Sequence, residues 1–197
     1  VGASGRADDR AERVCNGSGR AMDETEIQWV DKEGGAVAAG IDGEIWVRDF
    51  NVMRHYFNNA DETADALTRE GWLKTGDVGV MDEDGYVRIT GRIKEMFIVG
   101  GFNCYPAEIE NILCDMPGIA RAAVIGVSDE RMGEVAKAFL VKDAGDPLDE
   151  AAVIEWSRAH MANYKRPRSV VFLAESTMNA GGKVDKATLA KSAEVER

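Results

Sequence analysis

The spacing of apolar residues changes partway along the chain. In the first half, short runs alternate apolar and polar residues between glycine and aspartate turns, a pattern typical of antiparallel strands. The runs predict strands at 26–30, 44–48, 78–81 and 86–90, and a short acidic helix at 59–67. The tetrapeptide Asp82-Glu-Asp-Gly85 predicts the turn of a hairpin between the last two strands. The first 25 residues show no period and are predicted to be loop or weakly held.

After Arg92 the pattern predicts strands interspersed with longer helices. The apolar run 96–99 predicts a strand that ends at Gly100-Gly101, and Pro106 suits the first position of a helix. That helix has one apolar face, formed by Ile109, Ile112, Leu113 and Met116. Two strands (122–127, 135–141), a helix (149–160), a strand (169–173) and a short basic helix follow. This order predicts an α+β fold of two units that meet near Arg92.

Composition excludes several classes of protein. The 197 residues are 45% apolar and contain no apolar run long enough to span a bilayer, and the N-terminus lacks the apolar core of a secretion signal. A net charge of −11 argues against nucleic acid as a partner, because a phosphate backbone would be repelled. Three cysteines without a CxxC pair argue against a disulfide framework or a structural zinc site and favour the reducing cytoplasm. The chain begins at Val1, which suggests a processed or truncated product.

Two motifs near the junction could bind a sugar. Thr75-Gly76-Asp77 precedes the predicted hairpin, and the carboxylate of Asp77 could accept hydrogen bonds from a vicinal diol such as that of ribose. The alternative for Asp77 is a turn cap. Gly91-Arg92-Ile-Lys-Glu95 presents a guanidinium suited to phosphate or sugar oxygens, with a surface salt bridge as the alternative for Arg92.

Two further motifs could bind an anion or a ligand that lies close to the main chain. Gly100-Gly101 would let a ligand approach the main chain closely, or would simply form a strand-to-helix turn. Lys183 lies in a glycine-containing loop from which it could reach a phosphate, or it could be an ordinary surface lysine. Basic residues outnumber acidic ones between residues 158 and 191, which suggests a small anionic ligand there; a solvated surface is the alternative.

The order of these motifs is more specific than any one of them. TGD, GRxKE, GGxNxxPxEIE, YKxP and NxxGKV follow one another as in the C-terminal third of the adenylate-forming superfamily, which includes acyl-CoA synthetases, nonribosomal adenylation domains and luciferases. GEIWVR, GWLKTGD and DEDGYVRITGR also resemble this family, so the resemblance covers nearly the whole chain. It implies that 1–91 ends a large N-terminal domain of short antiparallel strands. It also implies that 92–197 is a small mobile domain whose central sheet is flanked by helices.

The resemblance implies a role for each motif residue in adenylate formation from a carboxylic acid and ATP. Asp77 and Arg92 match the contacts to the ribose hydroxyls, and Lys183 matches the catalytic lysine that bridges the α-phosphate and the attacking carboxylate. Lys94 matches the hinge, near residues 92–95, at which the small domain swings between the two half-reactions. ATP, Mg²⁺ and coenzyme A are the implied cofactors, with no metal site made by this chain.

The second half-reaction, transfer of the acyl group to a thiol, involves another set of residues in this family. Gly101 matches the glycine that lines the pantetheine tunnel, where a side chain would obstruct the thiol. Tyr164, Arg166 and Arg168 match positions at which some members hold the CoA nucleotide, by stacking and by phosphate contacts.

Three functions fit these residues: an acid–CoA ligase acting on a small carboxylic acid, an adenylation domain that loads a carrier protein, and a non-catalytic C-terminal module. Only 14 residues follow Lys183, so no carrier domain is fused there, which favours the CoA ligase. The family's phosphate loop and the residues of its acid pocket are absent from this sequence. The chain alone is therefore expected to be inactive, and the sequence identifies neither the acid nor the oligomeric state.

Overall fold

The computed structural model describes residues 3–6, 9, 17–145, 147–173 and 185–195. The chain divides into two compact units, Val1–Lys94 and Glu95–Arg197. Both combine strands and helices, so the fold is mixed α+β, as the sequence predicts. No helix within the described ranges is long and apolar enough to cross a membrane.

The first unit is a six-stranded antiparallel sheet with the strand order β1-β2-β6-β5-β4-β3. Its elements are β1 (Ala3–Ser4), β2 (Gly19–Ala21), β3 (Glu26–Val30), β4 (Gly43–Arg48), α1 (Ala60–Ala66), β5 (Leu73–Met81) and β6 (Tyr86–Arg92).

One face of this sheet is apolar because the strands alternate. In β4 every second residue is buried, and Ile45 and Val47 pack with Trp29 and Val87 in one cluster. Outward-facing positions carry charge, such as Arg48, which forms an ion pair with Glu26 across the β3–β4 ladder.

The second unit begins at Glu95, the last residue of the 3₁₀ turn Ile93–Glu95, and holds a five-stranded sheet. Its elements are β7 (Phe97–Val99), β8 (Phe102–Cys104), α2 (Pro106–Cys114), β9 (Ile119–Asp129), β10 (Gly133–Lys142), α3 (Glu150–His160), the 3₁₀ turn Asn163–Lys165, β11 (Ser169–Phe172) and α4 (Lys186–Val195). Strand β10 is central: it pairs along its length with β9, in parallel with β11, and through Gly133 with Val99 of β7.

Both faces of the second sheet are covered. On one face, Ile109 and Leu113 of α2 and Val153 of α3 belong to a large buried cluster that includes Val124 of β9 and Leu140 of β10. On the other face Leu189 of α4 packs with a smaller buried group, Ala123, Ile125 and Phe139. The helix predicted from Pro106 onward is confirmed, and its predicted apolar face is the face that packs.

Three predictions of local structure are wrong. The first 25 residues contain strands β1 and β2, which pair with each other and extend the sheet beyond β6. Strand β5 starts at Leu73, so Thr75-Gly76-Asp77 lies within a strand rather than in a loop before the hairpin. Gly100-Gly101 joins β7 to β8 rather than a strand to a helix.

Candidate functional site

Asp77 and Arg92 lie side by side at the end of the β5–β6 ladder. They are register partners, and Arg92 Nε lies 2.9 Å from Asp77 Oδ1. The Asp77 side chain is only 14% exposed, whereas the Arg92 side chain is 60% exposed. The structure therefore brings together the two residues for which the sequence predicts ribose contacts, and it fixes the carboxylate while the guanidinium faces solvent.

The backbone before Asp77 departs from a regular strand. Gly76 adopts φ +71°, a conformation that residues with a Cβ rarely take, and its N–H donates to Glu44 Oε1 at 3.2 Å. The Thr75 hydroxyl donates to the carbonyl of Ile45 at 2.7 Å and accepts from the N–H of Asp77. These bonds hold the Thr-Gly-Asp segment on β4 and fix the position of the Asp77 carboxylate.

This pair has the chemistry to hold a vicinal diol. A carboxylate accepts hydrogen bonds from two neighbouring hydroxyls, and an exposed guanidinium has donors left for an oxygen of the same ligand. The structure realises the predicted alternative for Arg92, a salt bridge, with Asp77 as its partner. The ribose contact stays a prediction.

A second group of predicted residues lies in the second unit, around the turn Gly100-Gly101. The glycines have φ of +57° and +89°, so they form a two-residue turn with both residues in the left-handed region. A Cβ on Gly100 would lie 2.6 Å from Met132 Cε, whereas a Cβ on Gly101 would meet nothing within 4 Å. The open side of this turn is therefore at Gly101.

Phe102, the residue after this turn, forms an aromatic surface together with Tyr164, and the sequence analysis did not predict it. The ring of Phe102 stacks on that of Tyr164, with 4.6 Å between centroids and 17° between planes. Phe102 is 57% exposed although it is a large apolar residue. An aromatic residue directly after a Gly-Gly turn was the available signal.

Cys104, at the end of β8, is a structural thiol. It is buried, and its Sγ donates to the carbonyl of Tyr164 at 3.6 Å. Burial raises the pKa of this thiol to about 11, so it stays protonated at neutral pH and is no nucleophile there.

Two basic residues of the predicted cationic region, Arg158 and Lys165, form ion pairs with acidic residues from outside that region. Lys165 lies 2.5 Å from Glu108; burial alone would lower the pKa of this lysine, but the bond to Glu108 outweighs it and the pKa is raised. Arg158 pairs with Glu155. Part of the predicted cationic region is thus engaged in ion pairs within the second unit.

The two arginines predicted to bind the CoA nucleotide differ in their surroundings, because Arg166 is bonded to backbone carbonyls of its own unit. Arg166 donates to the carbonyls of Met161 and Arg158 at the end of α3, where basic side chains commonly satisfy the last carbonyls of a helix. The Arg168 side chain is exposed, and its guanidinium donates over 3.3–3.5 Å to oxygens of Asn163, the residue before Tyr164. Arg168 is thus the better placed of the two to contact a ligand on the aromatic surface.

Lys183 lies outside the described residues, and Lys94 is the last residue of the first unit. Within the described ranges no three His, Cys, Asp or Glu side chains cluster so as to hold a metal ion.

Comparison with known proteins agrees with these motifs. Residues 108–183 match the family model described as AMP-binding enzyme C-terminal domain. A Mycobacterium tuberculosis ligase, named for joining CoA to a 7a-methyl-1,5-dioxo-octahydroindenyl propanoyl group, is 46% identical over 96% of this chain and 35% of its own length.

Solved structures give the same picture. ATP-bound MatB from Rhodopseudomonas palustris is 35% identical with a TM-score of 0.89, over 97% of this chain and 38% of that one. The anthranilate CoA ligase AuaEII in complex with anthranoyl-AMP is 31% identical with a TM-score of 0.86, over 98% and 37%. The chain thus spans about a third of the length of its relatives. It belongs to the AMP-binding, adenylate-forming superfamily and corresponds to a C-terminal part of such an enzyme.

Proposed function

We propose that the protein to which this chain belongs is an ATP-dependent carboxylic acid–CoA ligase. It converts an acid, ATP and CoA into an acyl-CoA, AMP and pyrophosphate. The likeness to CoA ligases along nearly the whole chain carries this proposal. The Asp77–Arg92 pair and the open Gly101 turn support it independently, because each suits a different part of the reaction.

In the first half-reaction a carboxylate oxygen attacks the α-phosphorus of ATP, and the bond to the pyrophosphate leaving group breaks. Asp77 and Arg92 hold the ribose, which fixes the α-phosphate relative to the acid. Lys183 supplies a positive charge to the oxygens on which negative charge develops. Mg²⁺, which the family resemblance implies, would neutralise part of the negative charge of the triphosphate.

In the second half-reaction the CoA sulfur attacks the acyl carbon and AMP leaves. Gly101 gives the pantetheine arm a path along the backbone, because no side chain occupies the open side of the turn. The stacked rings of Phe102 and Tyr164 offer a face for the adenine of CoA, and Arg168 lies next to them for a phosphate. Arg166 contributes by fixing the end of α3.

The two half-reactions require different residues next to the same acyl group. One set of residues must therefore move away from the acyl group after the first step, and another set must approach it for the second. We assign this exchange to a hinge at Lys94, near residues 92–95, between domains 1–91 and 92–197. The division of the chain between Lys94 and Glu95 supports this position.

The substrate is a small carboxylic acid, and the reaction takes place in the cytoplasm, where ATP and CoA are available. The names of the relatives include a bicyclic propanoyl group and anthranilate, so a ring-bearing acid is the first class to test.

The test is to measure both half-reactions in the full-length protein with a panel of acids. Acid-dependent exchange of pyrophosphate into ATP and CoA-dependent release of AMP are expected for at least one acid. Lys183→Ala should slow adenylation by about 10²–10³-fold and leave thioester formation from a preformed adenylate much less affected. Equal slowing of both steps would contradict the role of Lys183. Acyl transfer to a carrier protein but not to CoA would favour the carrier-loading alternative.

A further inference from the structure

The first turn of α4 is held by an ion-pair cluster that the proposed mechanism does not use. Lys186 Nζ lies 2.6 Å from Glu95 Oε2 and 2.9 Å from Glu110 Oε1. Glu95 is the first residue of the second unit, and Glu110 belongs to α2. One lysine therefore ties α4 to two other elements of its own unit.

The cluster is partly buried, and Glu110 has a second partner. The side chains of Lys186 and Glu110 are 25% and 18% exposed, and Glu110 Oε1 also accepts from the N–H of Val124 in β9 at 2.8 Å. Burial alone would lower the pKa of Lys186, but its bonds to Glu95 and Glu110 outweigh burial and raise the pKa. The lysine therefore remains charged at neutral pH, and the pairs are screened less than exposed pairs.

Other bonds fix the same turn. Asp185 accepts from the N–H and the hydroxyl of Thr188, as an N-cap residue does, and Leu189 is buried against the sheet. The start of α4 is therefore a defined point on the second unit.

Lys183 precedes Lys186 by three residues. The Cα atoms of these two lysines can therefore be at most about 10 Å apart. We propose that Glu95 and Glu110 are positioning residues for the adenylation step: by holding Lys186 they fix the point from which the chain presents Lys183. This inference rests on the proposed function. It adds two carboxylates that touch neither ATP nor acid and that act through Lys186.

The test compares Glu95→Gln, Glu110→Gln and the double variant in the full-length protein. Glutamine keeps the volume and, at 110, an oxygen that can still accept from Val124, so only the charge facing Lys186 is lost. The matched control is Glu155→Gln, which removes the exposed pair with Arg158 in the same unit. Adenylation should fall by about 10- to 100-fold in the double variant, the scale of a misplaced reacting group. Thioester formation from supplied adenylate and the control variant should stay within about twofold.

Hydrogen exchange separates this inference from the proposed function. The double variant should lose amide protection in Lys186–Val195, with the other helices unchanged. Unchanged protection, or adenylation within twofold of the unsubstituted protein, would overturn the positioning role, and so would an equal fall of both half-reactions. If the unsubstituted protein shows no acid-dependent exchange, the proposed function fails and the positioning role with it. The exchange protection would still report whether the cluster holds α4.

Discussion

At the scale of single residues, Gly101 combines a backbone requirement with an open surface. Its φ of +89° means that any residue with a Cβ is strained there, while a Cβ would contact no neighbouring atom. A loss of activity on substitution could therefore arise from strain or from obstruction of the pantetheine arm. The two causes differ in their dependence on side-chain size.

We expect Gly101→Ala and Gly101→Leu to lower the free energy of unfolding by similar amounts, about 1–2 kcal/mol, because both carry the same left-handed strain. If the turn lines the pantetheine path, leucine should slow acyl transfer to CoA by about 10²-fold more than alanine does, because only leucine reaches the thiol. Pyrophosphate exchange should be similar in both variants. Urea unfolding and the two half-reaction assays measure these quantities. Equal effects of alanine and leucine on acyl transfer would show that Gly101 serves only the backbone.

Sequence patterns could suggest site residues but not their partners. The Thr-Gly-Asp and Gly-Arg motifs indicated Asp77 and Arg92 one at a time. Their pairing depends on the β5–β6 register, in which a bulge at Val78–Gly79 shifts the ladder by one residue. The ion pair of Lys165 with Glu108 was equally invisible, because the two residues are far apart in the chain and meet only through packing.

At the scale of elements, the N-terminus of α3 allows a test of helix capping by Asp149. Asp149 adopts extended backbone angles before the helix, and its side chain accepts from the N–H of Ala152 at 2.8 Å. Asp149→Ala should lower the free energy of unfolding by about 1 kcal/mol, because it removes the N-cap of an 11-residue helix. Asp149→Asn is the matched control and should stay near the unsubstituted protein, since asparagine caps as well as aspartate. Urea unfolding of the three proteins measures the difference, and an equally unstable asparagine variant would contradict the cap.

Helices and strands with a regular spacing of apolar residues could be predicted from the sequence, whereas very short strands could not. The helix from Pro106 and the hairpin around Asp82–Gly85 follow from periodicity and turn chemistry, and both are present. Strand β8 has three residues, too few to show alternation, so the sequence alone predicts a strand-to-helix turn at the Gly-Gly pair before it. Strand β2 has three residues and pairs only two of them with β6, so its sequence is too short to show alternation.

At the scale of the whole molecule, the candidate residues are distributed over two units, each with its own buried cluster. The first unit contributes Asp77 and Arg92, and the second contributes Gly101, Phe102, Tyr164 and Arg168. Both sets are needed for the complete reaction in the proposed mechanism. The acid and the triphosphate must also be held, and no motif for either is found in this sequence.

The 197-residue chain by itself is therefore expected to form no acyl adenylate. It covers about a third of the length of the ligases that it resembles, and adenylation requires the acid, the α-phosphate and Lys183 to be held together. Purified chain should release no pyrophosphate when ATP, Mg²⁺ and the acid accepted by the full-length protein are supplied, whereas the full-length protein should do so. Far-UV circular dichroism of the chain before and after the assay checks that it is folded. Acid-dependent pyrophosphate release from the folded chain, abolished by Lys183→Ala, would show that these residues suffice for adenylation. The phosphate loop and acid pocket of the larger enzymes would then be dispensable for the chemistry.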